Sequence, residues 1–265
     1  MGAVYSAPFK GNRMNILVVN DDGIKAQGIK ALTAALSKVA DVFVCAPDSQ
    51  RSGYSHALTI VEGVFVRETE CPGAVRAWET SGTPVDCTKI GIEASRRAGA
   101  EIDMVFAGIN HGWNLGIDTH YSGTVGAAME GAFFEKHSVA VSVQSHTPTH
   151  FEVAAELAVD SIDFVRREMP VSTILNINVP DLPREEIKGL CIAACGGRYF
   201  DDTFSEDKDG IYTLKGMPLD FAAAPNTIDL AAAEHGYAVI SPLRYDFTDY
   251  RMLKNMENWG LRIRD

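Results

Sequence analysis

The chain has 265 residues, with 35 Asp and Glu against 24 Lys and Arg for a formal net charge of −11, and it is 46% hydrophobic. That length suits one large domain or a core with an appended part. The negative charge excludes a protein that tracks nucleic-acid phosphate backbones, so no nucleic-acid duplex is expected as a partner. No apolar run approaches the roughly 18 residues of a membrane helix, so no membrane partner is expected either. A small anionic substrate stays open if local positive groups, backbone amides or a metal meet it.

The opening stretch "MGAVYSAPFKGNR" lacks the basic start and apolar core of a secretory signal. Gly2 and Ser6 match the short myristoylation pattern, which also occurs by chance; residues 1–13 read as a flexible tail. The five cysteines form no C-x-x-C pair and are odd in number. Reduced thiols and a cytoplasmic location are the simplest reading, and no partner at zinc-finger spacing accompanies Cys191 and Cys195.

"NILVV" (15–19) is a continuous apolar, β-branched run, which predicts a strand buried on both faces in a parallel sheet. Ile29, Leu32, Leu36 and Val39 follow at helical spacing, and "DVFVCAP" (41–47) is a second buried strand. In "SGTPVD" (81–86) Thr83 is placed as an N-cap, Pro84 at the first helical position and Asp86 three residues after the cap. "DMVFAGIN" (103–110) is the next strand. From Ser122 a helix is expected with Val125, Ala128, Met129, Ala132 and Phe133 on its inner face. "VAVSV" (139–143), a helix over 152–167 and "TILNINV" (173–179) continue the alternation. This is a Rossmann-like, doubly wound α/β layout with a mostly parallel sheet.

After Pro180 the texture changes. "GLCIAACGGRYF" and "GIYTLKG" flank the acidic stretch "DDTFSEDKDG", which predicts a long hairpin with an acidic, mobile tip. "YAVISPL" (237–243) is another strand, and residues 245–260 are expected to be helical. The chain thus divides into the tail, a Rossmann-like core over 14–180 and a C-terminal hairpin region over 181–265.

In open parallel sheets, ligands bind beyond the carboxyl ends of the strands. The first strand ends at Asn20-Asp21-Asp22-Gly23, the second runs into Arg51-Ser52-Gly53, and the third ends at Gly108-Ile109-Asn110. Two carboxylates, a hydroxyl and a carboxamide offer only oxygen, which suits one hard divalent cation, Mg²⁺ or Mn²⁺. "DDG" alone favours a helix cap by Asp21 and a turn by Asp22 with Gly23; with Ser52 and Asn110 at matching strand ends, the metal becomes the better reading. "YSGTVGAAMEG" (121–131) opens a helix where Ser122 caps and the amides of Gly123 and Thr124 stay free for a phosphate. Asn114 could hold a phosphate oxygen or the attacking water, or simply make a turn in its glycine-rich loop. His56 and His111 lie in loops near these residues and carry no assigned role, a lone loop His being most often a solvated one. No G-x-S-x-G, Walker A or G-x-G-x-x-G pattern is present.

These stretches together, "NILVVNDDGIKAQGI", "APDSQRSGYSHALT", "SGTPVDC", "AGINHGWNLG", "YSGTVGAAMEG", "ILNINVP" and "GYAVISPL", resemble the stationary-phase survival protein SurE family in motif and in order. The resemblance runs from Met14 to about Leu243 and implies a metal-dependent 5'/3'-nucleotidase. It implies Asp21, Asp22, Ser52 and Asn110 as metal ligands, and Ser122, Gly123 and Thr124 as the phosphate loop. It also implies dimers that exchange C-terminal segments, and tetramers built through a projecting hairpin over 190–216. The chain departs from the family at Gln27, at Ala107, and at Trp113, where proline is common.

The expected chemistry is metal-assisted hydrolysis of a nucleoside monophosphate, with Asp21 or Asp22 accepting the proton of the attacking water. Ser122, Gly123, Thr124 and Asn114 would hold the phosphoryl oxygens. Trp113 and Tyr54 are left to stack on the base. The competing readings are a broad phosphatase or exopolyphosphatase, and a catalytically silent nucleotide-binding protein.

Overall fold

A computed structural model describes residues 13–260 and residue 263. The tail over 1–12 and the myristoylation pattern at Gly2 and Ser6 lie outside the described residues. Nine strands form one sheet in the order β3-β4-β2-β1-β5-β6-β7-β11-β8. Its centre is parallel: β1 (Asn15–Val19), β2 (Asp41–Pro47), β4 (Arg76–Thr80), β5 (Met104–His111), β6 (His137–Val143) and β7 (Thr173–Val179). β3 (Val66–Thr69) pairs antiparallel with β4 at one edge. At the other edge β11 (Ala238–Arg244) runs antiparallel to β7, and β8 (Leu190–Ile192) runs parallel to β11. Two strands beyond residue 180 therefore add to the core sheet. The hairpin of β9 (Phe200–Glu206) and β10 (Tyr212–Pro218) makes a sheet of its own.

The central strands are apolar on both faces because helices cover both. α1 (Gln27–Leu36) and α4 (Glu152–Glu168) bury Ile29, Leu32, Ala158 and Val165 with Ile16, Val18 and Phe106 on one side. α2 (Pro84–Arg97) and α3 (Gly123–Phe133) bury Cys87, Ile92, Val125 and Ala128 with Leu17, Val19 and Val105 on the other. The start of α2 is the expected capping box: Thr83 Oγ1 accepts from Asp86 N at 3.1 Å, and Asp86 Oδ2 accepts from Thr83 N at 2.9 Å. A six-residue helix, α5 (Asp229–Glu234), packs Leu230, Ala232 and Ala233 into a small satellite core with Leu115 and Val239.

Four expectations are corrected. Val39 lies past the end of α1 and is exposed. α3 has no single inner face: it is buried nearly all round, whereas Phe133 is half exposed against Tyr245 and His56. The acidic stretch is no loop, because Asp201 to Glu206 form the first arm of the hairpin, paired with 212–217, and both faces of this ribbon are largely exposed. The closing helix is short, α6 (Tyr250–Met256), since the Asp249 side chain caps it through Met252 N at 2.9 Å.

From β1 the chain moves outward through β2 and β4 on one side, and through β5, β6 and β7 on the other. The crevice between the ends of β1 and β5 is thus the switch point at which such sheets bind ligands. Helix α1 closes tightly onto it. A Cβ on Gly28 would sit 1.9 Å from the Ile109 carbonyl oxygen, so only glycine fits there.

Candidate metal and phosphate site

Asp21 and Asp22 leave β1 directly into this crevice. Neither caps the next helix, whose N-cap is Ala26 with no side-chain hydrogen bond. The turn after them is made by Gly23 at φ +97° and by Asn20, whose Nδ2 donates to the Gly23 carbonyl at 2.9 Å. The capping reading of the pair therefore fails for Asp21.

Three loops are knitted at this point. Arg51 N donates to the Asp21 carbonyl at 2.7 Å, and His111 N donates to Asp22 Oδ2 at 3.0 Å. Gln50 Nε2 reaches Asp22 Oδ1 at 3.4 Å and Ser52 Oγ at 2.9 Å. Asn110 Nδ2 is committed to the Gly112 carbonyl at 2.8 Å, which leaves its Oδ1, the atom a cation would take. Asp21, Asp22, Ser52 and Asn110 are thus brought to one place.

The carboxylates are electrostatically uncomfortable. Asp21 is 4% exposed. Burial first, and then the charge of Asp22, push its carboxyl up to about 6, against hydrogen bonds from the Thr124 hydroxyl and nearby backbone N–H groups. Burial also raises Asp22, opposed by the His111 N–H, Gln50 and the nearby His146. Among the described residues no Lys, Arg or His forms an ion pair with either. Buried carboxylates without a counter-charge are costly. A hard dication on an all-oxygen set is the group that relieves this cost, so the residues fit one. The site owes nothing to His or Cys: among the described residues no three His, Cys, Asp or Glu side chains gather into a metal cluster.

The start of α3 faces the same pair. Ser122 caps it, its Oγ accepting from Val125 N at 3.1 Å. A Cβ on Gly123 would come within 3.0 Å of Asp21 Oδ2, so glycine lets the helix end approach the carboxylate. Thr124 differs from expectation. Its hydroxyl donates to Asp21 Oδ1 at 2.5 Å and its backbone also holds that carboxylate. The anion that Thr124 meets here is Asp21, whereas the Ser122 hydroxyl proton is left to donate.

Asn114 is buried and framed. Its N–H donates to Asn178 Oδ1 at 2.8 Å, its carbonyl accepts from Asn176 Nδ2 at 2.8 Å and Asn178 Nδ2 at 3.1 Å, and its own Nδ2 donates to Ser142 Oγ at 2.8 Å. Strands β6 and β7 therefore fix the loop after Asn110. Trp113 is not on the rim. It turns into the satellite core, edge-on to Tyr199 with ring centroids 6.2 Å apart, which corrects its expected place against a base. His56 is not merely solvated either: its Nε2 lies 2.7 Å from Glu130 Oε2, and Lys89 Nζ lies 2.6 Å from Glu130 Oε1. His111 serves through its backbone, and its Nε2 is buried with no partner among the described residues.

Sequence reasoning missed Gln50, Asn176, Asn178 and His146. The two asparagines in the apolar run "TILNINV" were the available signal, since a buried carboxamide needs partners. Gln50 and His146 had none, being ordinary loop residues until the strand ends converge.

The family model "Survival protein SurE" matches residues 16–202. The chain is 39% identical over 246 residues to a protein of Syntrophomonas wolfei, covering 91% of this chain and 92% of that one. It is 39% identical over 251 residues to one of Methylococcus capsulatus, covering 93% and 97%. Both are named 5'-nucleotidase SurE. The crystal structure of the SurE protein of Aquifex aeolicus superposes with a TM-score of 0.80 at 34% identity, covering 92% of this chain and 99% of that one. The chain belongs to the SurE survival-protein family.

Proposed function

We propose that the chain is a 5'-nucleotidase, a phosphomonoesterase that releases phosphate from nucleoside 5'-monophosphates, and also from 3'-monophosphates, with one divalent cation, Mg²⁺ or Mn²⁺. The observation that carries the reading is the carboxylate pair at the switch point, without an ion-pair partner among the described residues, with the oxygens of Ser52 and Asn110 beside it and a helix N-terminus against it. The names of the relatives agree with it.

Asp21, Asp22, Ser52 and Asn110 would hold the cation. When bound, it supplies positive charge opposite the phosphate and Lewis acidity toward water. The chain's own groups do the rest. The Ser122 hydroxyl and the Gly123 amide, at the positive end of α3, donate to phosphoryl oxygens as charge builds on them. Thr124 orients Asp21 through its hydroxyl and would stand with Ser122 and Gly123 at the phosphoryl oxygens. Asn114, fixed by Ser142, Asn176 and Asn178, holds a phosphoryl oxygen or the water. Asp21 or Asp22 accepts the proton of the attacking water.

Assembly belongs to the same proposal. The hairpin exposes Phe204, Tyr212, Leu214 and Met217, and the C-terminal segment exposes Phe247, Tyr250, Leu253 and Trp259. So much exposed apolar surface suits a homodimer or homotetramer, with residues 181–265 as the assembly region and 14–180 as the catalytic core. No described helix is long and apolar enough to cross a membrane, in keeping with the cytoplasmic location we propose. The test is phosphate release from nucleoside monophosphates, polyphosphate and p-nitrophenyl phosphate, with Mn²⁺ and with EDTA. Cation-dependent release from the nucleotides is expected; turnover of polyphosphate alone would overturn the reading.

A further inference from the structure

With Trp113 turned inward, another surface must meet the base. On that reading the phosphate would lie at Ser122 and Gly123 and the cation beside Ser52, so a base one ribose away would fall on the chain next to those residues. Tyr54 stands two residues after Ser52, a span of at most about 7 Å, and Tyr121 immediately precedes Ser122. Both are exposed, at 42% and 61%. We infer that Tyr54 and Tyr121 form the nucleobase platform of the site; this rests on the nucleotidase reading above.

The two residues sit on segments that are tied together. Ser55 N donates to the Tyr121 carbonyl at 3.1 Å, and Ser55 Oγ donates to the His120 carbonyl at 2.5 Å. Ser55 itself is held at φ +54°, in the left-handed region that a serine seldom adopts, so surrounding contacts fix the turn. A Cβ on Gly126 would lie 2.6 Å from the Ser55 carbonyl oxygen, so the loop rests directly on α3. His56 to Glu130 and Thr83 Oγ1 to the Ala57 carbonyl, at 2.7 Å each, pin the loop further on. The Arg51 guanidinium lies over one face of the Tyr54 ring, 5.9 Å from its centroid, and is anchored to Asp48 Oδ1 and the Ser81 carbonyl. The rings are therefore presented by ordered backbone, and tyrosine has few torsions to freeze.

The chemistry of the pair sets the specificity. Gln50, Arg51 and Ser55 are engaged with Asp22, Ser52, Asp48 and backbone carbonyls, and Ser52 and Ser122 are reserved for cation and phosphate, so recognition falls mainly to the ring faces. Stacking works on any base and grows with ring area, so purine nucleotides are preferred over pyrimidine ones without strict discrimination.

The experiment compares kcat/KM for AMP with that for ribose 5-phosphate, which keeps the ester and lacks the base, in the Mn²⁺-loaded full chain. The wild type favours AMP. In Y54A and in Y121A that preference falls about fivefold to tenfold, through KM, as expected for the loss of one stacking partner. Y54F and Y121F, which keep the ring face, retain it. The inference is overturned if the alanine variants lose both substrates equally, or if the wild type shows no preference for AMP. A wild type that hydrolyses neither overturns the nucleotidase reading as well.

Discussion

Replacing Asp21 by Asn should stabilise the cation-free protein while removing its activity. The rise of the Asp21 carboxyl from 3.8 to about 6, at about 1.4 kcal/mol for each pH unit, makes its ionised form cost the fold about 3 kcal/mol near pH 7.5. The sign follows from the direction. A carboxyl whose folded value is raised favours the fold below pH 3.8 and loses that contribution as pH rises through about 6. Asn carries no charge and keeps an oxygen for the Thr124 hydroxyl, but it accepts fewer N–H bonds, so a gain of roughly 1–3 kcal/mol is expected. For a chain of this size that is a melting temperature higher by roughly 3–10 °C. The assay is thermal unfolding of wild type and variant in EDTA at pH 4.5 and pH 7.5. The gap should be small at the lower pH and open at the higher one. Added Mn²⁺ should raise the wild type and leave the variant nearly unmoved. A variant that melts at or below the wild type at pH 7.5 without cation would refute the electrostatic argument.

Trp113→Ala should cost about 2–4 kcal/mol in urea unfolding, because the ring packs against Tyr199 and the satellite core; it should lower turnover of AMP and p-nitrophenyl phosphate together, and a loss on AMP alone would return Trp113 to the base. Asn178→Ala leaves the buried Asn114 N–H without its acceptor, so about 1–3 kcal/mol of stability and most of kcat should go; unchanged steady-state rates would mean that the Asn114 loop is held otherwise. Deleting residues 247–265 should reduce the assembly size seen by light scattering, since that segment exposes Phe247, Tyr250 and Trp259; a monomeric full-length chain at micromolar concentration would refute the assembly proposal.

How much of this was legible depends on where the physics resides. β1, β2, β5, β6 and β7 are continuous apolar runs, and their bounds fall within two residues of expectation because burial on both faces leaves no ambiguity. β3 and β4 went unseen. "VRET" is an exposed edge and "RAWET" ends in two buried polar residues, so neither resembles the central strands; β4 exists because β2 offers an edge to pair with, and β3 because β4 then does. The convergence of Asp21, Asp22, Ser52 and Asn110 was legible because a topological rule brings the ends of β1 and β5 and the loop after β2 to one edge of the sheet. What spacing could not give was direction. Trp113 and Thr124 were placed on the right loops, yet one turns into a satellite core assembled from residues 190–240 and the other donates to Asp21 across 103 residues of chain. Both outcomes depend on contacts between distant segments, which no local pattern encodes.

The central claim is that phosphate release depends on a cation held by Asp21, Asp22, Ser52 and Asn110. The most direct measurement follows bound Mn²⁺ and phosphate release from AMP together, as the dialysed chain is titrated with Mn²⁺, in wild type and in Asp22→Asn. The account predicts that activity rises in step with one Mn²⁺ bound per chain, and that Asp22→Asn binds Mn²⁺ at least tenfold more weakly and turns over AMP little. Full activity in the exhaustively chelated wild type, or in the variant without bound Mn²⁺, would contradict it.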